Sequence, residues 1–176
     1  CDNPASIDAG KLSAFQTLYS GALSTTEQAE SAIACQDDLR TAIDYFVTHA
    51  ATFRIDTAKI YVLGFSAGAI SALEYAMDGN LSDIAGLILC HGNSKDVIAN
   101  GVPGGITIPR LLFFHGDADV SAFAPYTDHQ SLTSALTSAG VVYTAHVGAG
   151  VPHGIAEWDS DYGGVGIEQT VINWIN

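Results

Sequence analysis

Apolar residues recur along this chain with two periods, one suited to helices and one to strands. Leu12, Phe15 and Tyr19 share one face of a short helix near the start. Ser24 stands three residues before Glu27, the spacing of a capping box. From there Ala32, Cys35, Leu39, Ala42, Ile43, Phe46, Val47 and Ala50 fall on one face, which predicts a long amphipathic helix over about residues 25–50. Residues 60–63 read as a strand, and Ile70, Leu73 and Met77 mark a helix after it that ends near Gly79-Asn80. Residues 84–90 are nearly continuously apolar, as expected of a strand covered on both faces. Residues 91–110, rich in Gly and Pro, read as a loop, and 111–114 as the next strand. Leu132, Ala135, Leu136 and Ala139 give a helix stopped by Gly140, 141–147 the last strand, and Val171, Ile172 and Trp174 a terminal helix. Strands alternating with helices imply an α/β fold, a mostly parallel sheet with flanking helices and right-handed crossovers.

Three loops that follow these strands carry chemistry. Gly64-Phe65-Ser66-Ala67-Gly68 sits between a strand and a helix, a context that forces a serine to the tip of a tight turn. Glycines on both sides are expected because side chains there collide with the neighbouring strand and helix. His115-Gly116-Asp117-Ala118-Asp119 closes the strand at 111–114, and Pro152-His153-Gly154 follows the last strand. A serine hydroxyl is a poor nucleophile at neutral pH and needs a base within hydrogen-bond reach. His153 can take its proton and return it to a leaving group. Asp119 can hold the other ring nitrogen, with Asp117 as the competing acid. His115 suits backbone hydrogen bonds in its turn, and His49, His129 and His146 suit structural or exposed positions. His91, at the carboxyl end of a strand, is placed to line a pocket.

Nucleophile, acid and base in the order Ser…Asp…His, each beyond a strand, resemble the serine esterases of the α/β-hydrolase superfamily. The run Arg54-Ile55-Asp56-Thr57-Ala58-Lys59-Ile60-Tyr61-Val62 before the pentapeptide, and the pattern ending at Asp119, are similar to dienelactone-hydrolase-like and polyester- or feruloyl-type esterases. The likeness runs from about Cys35 to the C-terminus. It implies an acyl-enzyme mechanism with Ser66, Asp119 and His153 catalytic, the Ala67 N–H in the oxyanion hole, and Phe65, His91 and Phe123 near the substrate. A serine peptidase or acyltransferase with the same residues stays open, as does a non-catalytic binding protein. The likeness also implies strands before the long helix, for which these residues leave no room. The chain is therefore expected to be the C-terminal half of the fold, with the Ser66 strand at a sheet edge. A second polypeptide or subunit is expected to supply the missing strands and the second oxyanion donor, and the chain alone to be weak.

Composition narrows the partners. The 176 residues form one domain, with 48% hydrophobic and 14% charged residues. A net charge of −13 argues against nucleic acid and against anionic membranes. An ester, small or polymeric, is the expected substrate, with no cofactor. No metal is expected either, because Asp159-Ser160-Asp161-Tyr162-Gly163 lacks most of a calcium loop's ligands. The start at Cys1, without Met or an apolar leader, reads as a processed product, and a secreted or periplasmic setting is expected. Three cysteines allow one disulfide: Cys1 is a natural partner for Cys35 or for a thiol outside the chain, and Cys90 reads as a buried thiol.

Overall fold

The computed structural model describes residues 9–20, 26–79, 83–154, 162 and 166–176. Four strands, β1 (Tyr61–Phe65), β2 (Gly86–Cys90), β3 (Arg110–Gly116) and β4 (Tyr143–Gly148), form one parallel sheet in the order β1-β2-β3-β4. The helices are α1 (Ala9–Leu18), α2 (Thr26–Thr48), α3 (Ala50–Phe53), α4 (Ala67–Met77), α5 (Lys95–Asn100), α6 (Tyr126–Ser138) and α7 (Ile167–Ile175). The period-two alternation of side chains divides the central strands between two cores. Leu87, Leu89, Leu111 and Phe113 pack with α4, α6 and Ile43 of α2, while Ile88, Cys90, Leu112 and Phe114 pack with Ile167, Tyr162 and α7. Both faces of β2 and β3 are therefore dry, which is why their sequences are apolar without alternation.

Most expected elements are present within a residue or two at their ends. One was missed: α5 lies inside the expected loop, started by Ser94, whose hydroxyl accepts from the Val97 N–H at 3.0 Å. The Ser24 cap and the Asp159–Gly163 stretch, apart from Tyr162, lie outside the described residues. Cys35 and Cys90 are free thiols, and Cys1 also lies outside the described residues. Burial pushes the Cys90 thiol up to about 12, which leaves it inert. None of the helices in the described residues is long and apolar enough to cross a membrane.

The face of α2 departs from its expected stripe. Ala29, Ile33, Gln36 and Ile43 are buried, with Leu39 and Val47 packed beside the core. Cys35, Ala42 and Phe46, expected to be covered, are exposed. Cys35 lines a groove with Leu63 of β1. β1 pairs with β2 alone among the described strands. Ile60 O accepts from Ala85 N at 2.7 Å and Ser66 N donates to Cys90 O at 2.9 Å, so even-numbered residues face β2. The peptide groups of Tyr61, Leu63 and Phe65 consequently face the open edge.

Candidate active site

All the expected chemistry converges at the carboxyl ends of the strands. Ser66, between β1 and α4, adopts φ 51° and ψ −117°, a conformation that non-glycine residues rarely take. Holding it costs on the order of 1–3 kcal/mol, maintained by the bonds Ser66 N to Cys90 O and Ile70 N to Ser66 O. Gly64 is required by close approach, since a Cβ there would meet Gly68 O at 2.5 Å and Ala69 Cα at 2.6 Å. Gly68 differs from expectation: a Cβ there meets nothing within 4 Å, because it faces the open side of β1.

A serine preceding a helix ordinarily caps it. Ser66 makes no side-chain cap bond; its Oγ lies 2.8 Å from His153 Nε2. His153 Nδ1 lies 2.7 Å from Asp119 Oδ2. Asp119 is 2% exposed and is fixed as the head of an Asx turn, its Oδ1 accepting from Ser121 N at 2.9 Å. Burial pushes its carboxyl pKa up, but the hydrogen bonds from His91, His153 and Ser121 outweigh burial and hold it down at about 2. The ionised carboxylate has no proton to give, so His153 Nδ1 carries the hydrogen and Nε2 accepts from Ser66. Asp117, the competing acid, is exposed and accepts from Gly150 N, tying down the turn that precedes His153.

His115 Nε2 donates to Ala124 O at 3.0 Å and lies 3.2 Å from Asp119 Oδ2. Its Nδ1 is buried without a hydrogen-bond partner among the described residues. Burial, then repulsion from His129 and His91, pulls the His115 pKa down to about 3. His129 stacks on it with ring centres 4.6 Å apart and is itself lowered by burial to about 4. His146 stacks on Phe114, and His49 bonds the Tyr45 carbonyl.

The expected substrate residues divide. Phe123, 37% exposed, lines a groove of about 890 Å³ with Phe15, Leu63, Ala67 and Ile70, beside the open edge of β1. Its carbonyl is held by buried Asn93 at 2.8 Å. Phe65 is half-buried, its ring 5.4 Å from that of His91 and 6.4 Å from that of His153. His91, expected to line a pocket, is instead wholly buried, with Nδ1 2.9 Å from Asp119 Oδ2 and Nε2 2.6 Å from the Tyr162 hydroxyl. Tyr162 had no signal in the sequence, being a loop residue 71 positions from His91. The second half of the 91–110 stretch lines a different cavity with Trp174 and Tyr143 at the amino ends of the strands. Ligand atoms of His91, Asp119 and His153 lie within 4.8 Å of one another, and the contacts among them are hydrogen-bond separations.

The sequence model of the BD-FAE family matches residues 23–138. No curated protein sequence matches the chain. Similar folds occur in solved structures: esterase PE8, with TM-score 0.59 at 19% identity over 82% of this chain and 64% of that one. SOBER1 of Arabidopsis thaliana gives 0.61 at 17% over 82% and 63%. The carboxylesterase Cest-2923 of Lactobacillus plantarum WCFS1 gives 0.61 at 16% over 80% and 66%. The chain thus spans about 64% of the first of these structures and has the fold of an α/β hydrolase in part.

Proposed function

This chain belongs to the BD-FAE family, and from that premise we propose that it is the catalytic half of a serine carboxylic-ester hydrolase working through an acyl-enzyme. The observation that carries the reading is the relay of 2.8 and 2.7 Å from Ser66 through His153 to Asp119, with a serine held in a strained turn and released from capping. Ser66 Oγ attacks the ester carbonyl carbon while its proton passes to His153 Nε2. Asp119 stabilises the imidazolium and keeps the ring oriented. The carbonyl oxygen, now an oxyanion, takes the Ala67 N–H at the start of α4, where the helix leaves its first amides unpaired. Collapse expels the alcohol with the proton from His153. Water, deprotonated by the same ring, then attacks the acyl carbon and frees Ser66.

The substrate we propose is an ester group, on a small molecule or a polymer, presented to Ser66 beside Phe65 and Phe123. Strands from outside these residues, in the same or a second polypeptide, complete the sheet at β1 and bring the second oxyanion donor. The unpaired edge, the exposed stripe of Cys35, Ala42 and Phe46, and the unfilled space beside Gly68 all support that reading. Labelling by a fluorophosphonate tests the enzyme reading. Ser66 is expected to be labelled and Ser66→Ala to be silent. Failure to label even the completed protein returns the chain to the class of binding proteins, and faster turnover of amides than esters makes it a peptidase.

A further inference from the structure

Asp119 receives two imidazole arms, and only one of them leads to Ser66. The second runs from Asp119 Oδ2 to His91 Nδ1 at 2.9 Å, and from His91 Nε2 to the Tyr162 hydroxyl at 2.6 Å. The two arms have the same chemistry, hydroxyl to imidazole to carboxylate, and they meet on one oxygen. They differ in access: the His153 side chain is 26% exposed, whereas His91 and Tyr162 are both 0% exposed.

We propose that His91 and Tyr162 are positioning residues for Asp119, a buried arm that fixes the carboxylate so that its free direction faces His153. The proposal rests on the esterase reading above for its consequence, though its geometry does not. An ionised carboxylate makes His91 Nδ1 the donor, which leaves Nε2 as an acceptor for the Tyr162 O–H. The phenol thereby selects the tautomer that His91 needs in order to hold Asp119. Oδ1 is already taken by Ser121 N, so the two oxygens are held from opposite ends and the carboxylate cannot turn about its bond.

The backbone is built for this aim. His91 has φ 50°, unusual for a residue with a side chain, and its N–H donates to Phe114 O at 2.8 Å, carrying the β2–β3 ladder one step beyond the strand. The Phe65 ring lies 5.4 Å from the imidazole on one side and that of His115 5.1 Å on another. Tyr162 packs edge-on against Phe114 at 5.6 Å, so the hydroxyl is delivered from the face of the sheet that α7 covers. Neither hydroxyl nor ring can reach substrate, which leaves positioning as the role.

Three variants and two readouts test it. The readouts are the rate of fluorophosphonate labelling at Ser66 and the downfield proton resonance of the His153 Nδ1–H bonded to Asp119. His91→Ala removes the donor, and a misplacement of about 1 Å is worth ~10²-fold in rate. Labelling is expected to slow by about that factor, with the resonance lost or shifted. His91→Asn keeps an N–H near the position of Nδ1 and is expected to recover labelling to within about tenfold of the parent, with the resonance restored. Tyr162→Phe, which keeps the packing, is expected to slow labelling a few-fold. The proposal is overturned if His91→Ala labels within twofold of the parent and keeps the resonance, or if His91→Asn is as slow as His91→Ala with equally lowered melting temperature. Should the parent itself refuse the probe, the esterase reading fails, and the resonance still decides whether His91 holds the Asp119–His153 pair.

Discussion

At the carboxyl end of β3, the two oxygens of Asp119 are met by Ser121 N, His91 and His153, with His115 within 3.2 Å. Along β1, on the other side of the same serine, Leu63 is 46% exposed. One side of Ser66 is saturated by side chains of this chain; the other, among the described residues, offers peptide groups without a strand partner and exposed apolar surface. The difference teaches where the proton chemistry and the oxyanion chemistry of the site come from. In the proposed reading, proton transfer is organised within the described residues, and oxyanion stabilisation beyond the Ala67 N–H comes from strands added at β1. An apolar parallel edge of this kind invites association.

The largest effects should come from breaking the saturated side. Asp119→Asn is expected to lower labelling or ester turnover by up to ~10⁴-fold, the scale on which losing this carboxylate acts in a serine protease. Asp117→Asn, which removes only the acceptor for Gly150 N, is expected to cost a few-fold. Equal losses in the two variants would mean that the acid role has been assigned to the wrong carboxylate.

The open side should respond differently. Leu63→Lys places a charge on the exposed edge, so the melting temperature of the chain alone should barely move, as for surface changes of within ±0.5 kcal/mol. In the completed protein the same change should block strand addition, with a loss of ~10²–10³-fold in activity if the second oxyanion donor goes with it. Sedimentation before and after adding the completing segment checks the association. A melting temperature that collapses in the chain alone would show that the edge is already covered from within.

The effects of pH on stability, rather than on activity, also separate two regions. His115 and His129 beside Asp119 are held neutral, at about 3 and 4, by burial first. Their folded pKa lies below the unfolded value of about 6.5. The unfolded chain then binds more protons, and stability is lost as pH falls from 6.5 toward 4, by up to about 1.4 kcal/mol per unit for each ring. Glu74, on α4 near α1, runs the other way. Burial raises it to about 7, the Ser94 and Tyr19 hydrogen bonds opposing, and its contribution is lost as pH rises from about 4.5 through 7. Melting temperatures across pH 4–8 should show a shallower acid limb in His129→Phe and a steeper one in Glu74→Gln. Identical limbs in parent and variants would mean that neither group differs between the folded and unfolded states.

Much of this was legible in the chain because local spacing reports local structure. Four strands, the helices between them and the loops holding Ser66, Asp119 and His153 follow from short apolar runs and the turns that end them. The misreadings have a common origin. His91 was correctly placed at the strand ends but was assigned to a pocket, because a sequence does not tell which way a rim side chain turns. Gly68 was read as a collision site and faces open space. Cys35 and Phe46 lie on an apolar stripe left exposed by the described residues, so the periodicity was real while the burial was not found among them. The short α5 was hidden inside a Gly- and Pro-rich stretch.

By itself the sequence determined the alternation of strand and helix, the parallel sheet, and the serine turn, since each depends on residues within a turn or two of one another. Tertiary structure alone decided which of Asp117 and Asp119 meets His153, that His91 shares that carboxylate while Tyr162 holds its other ring nitrogen, and that one stripe of α2 is exposed among the described residues. The first two outcomes depend on groups 28 to 71 positions apart meeting within 3 Å. Hydrogen bonds of that kind weaken steeply with distance and angle, so they register only where packed elements have fixed both partners.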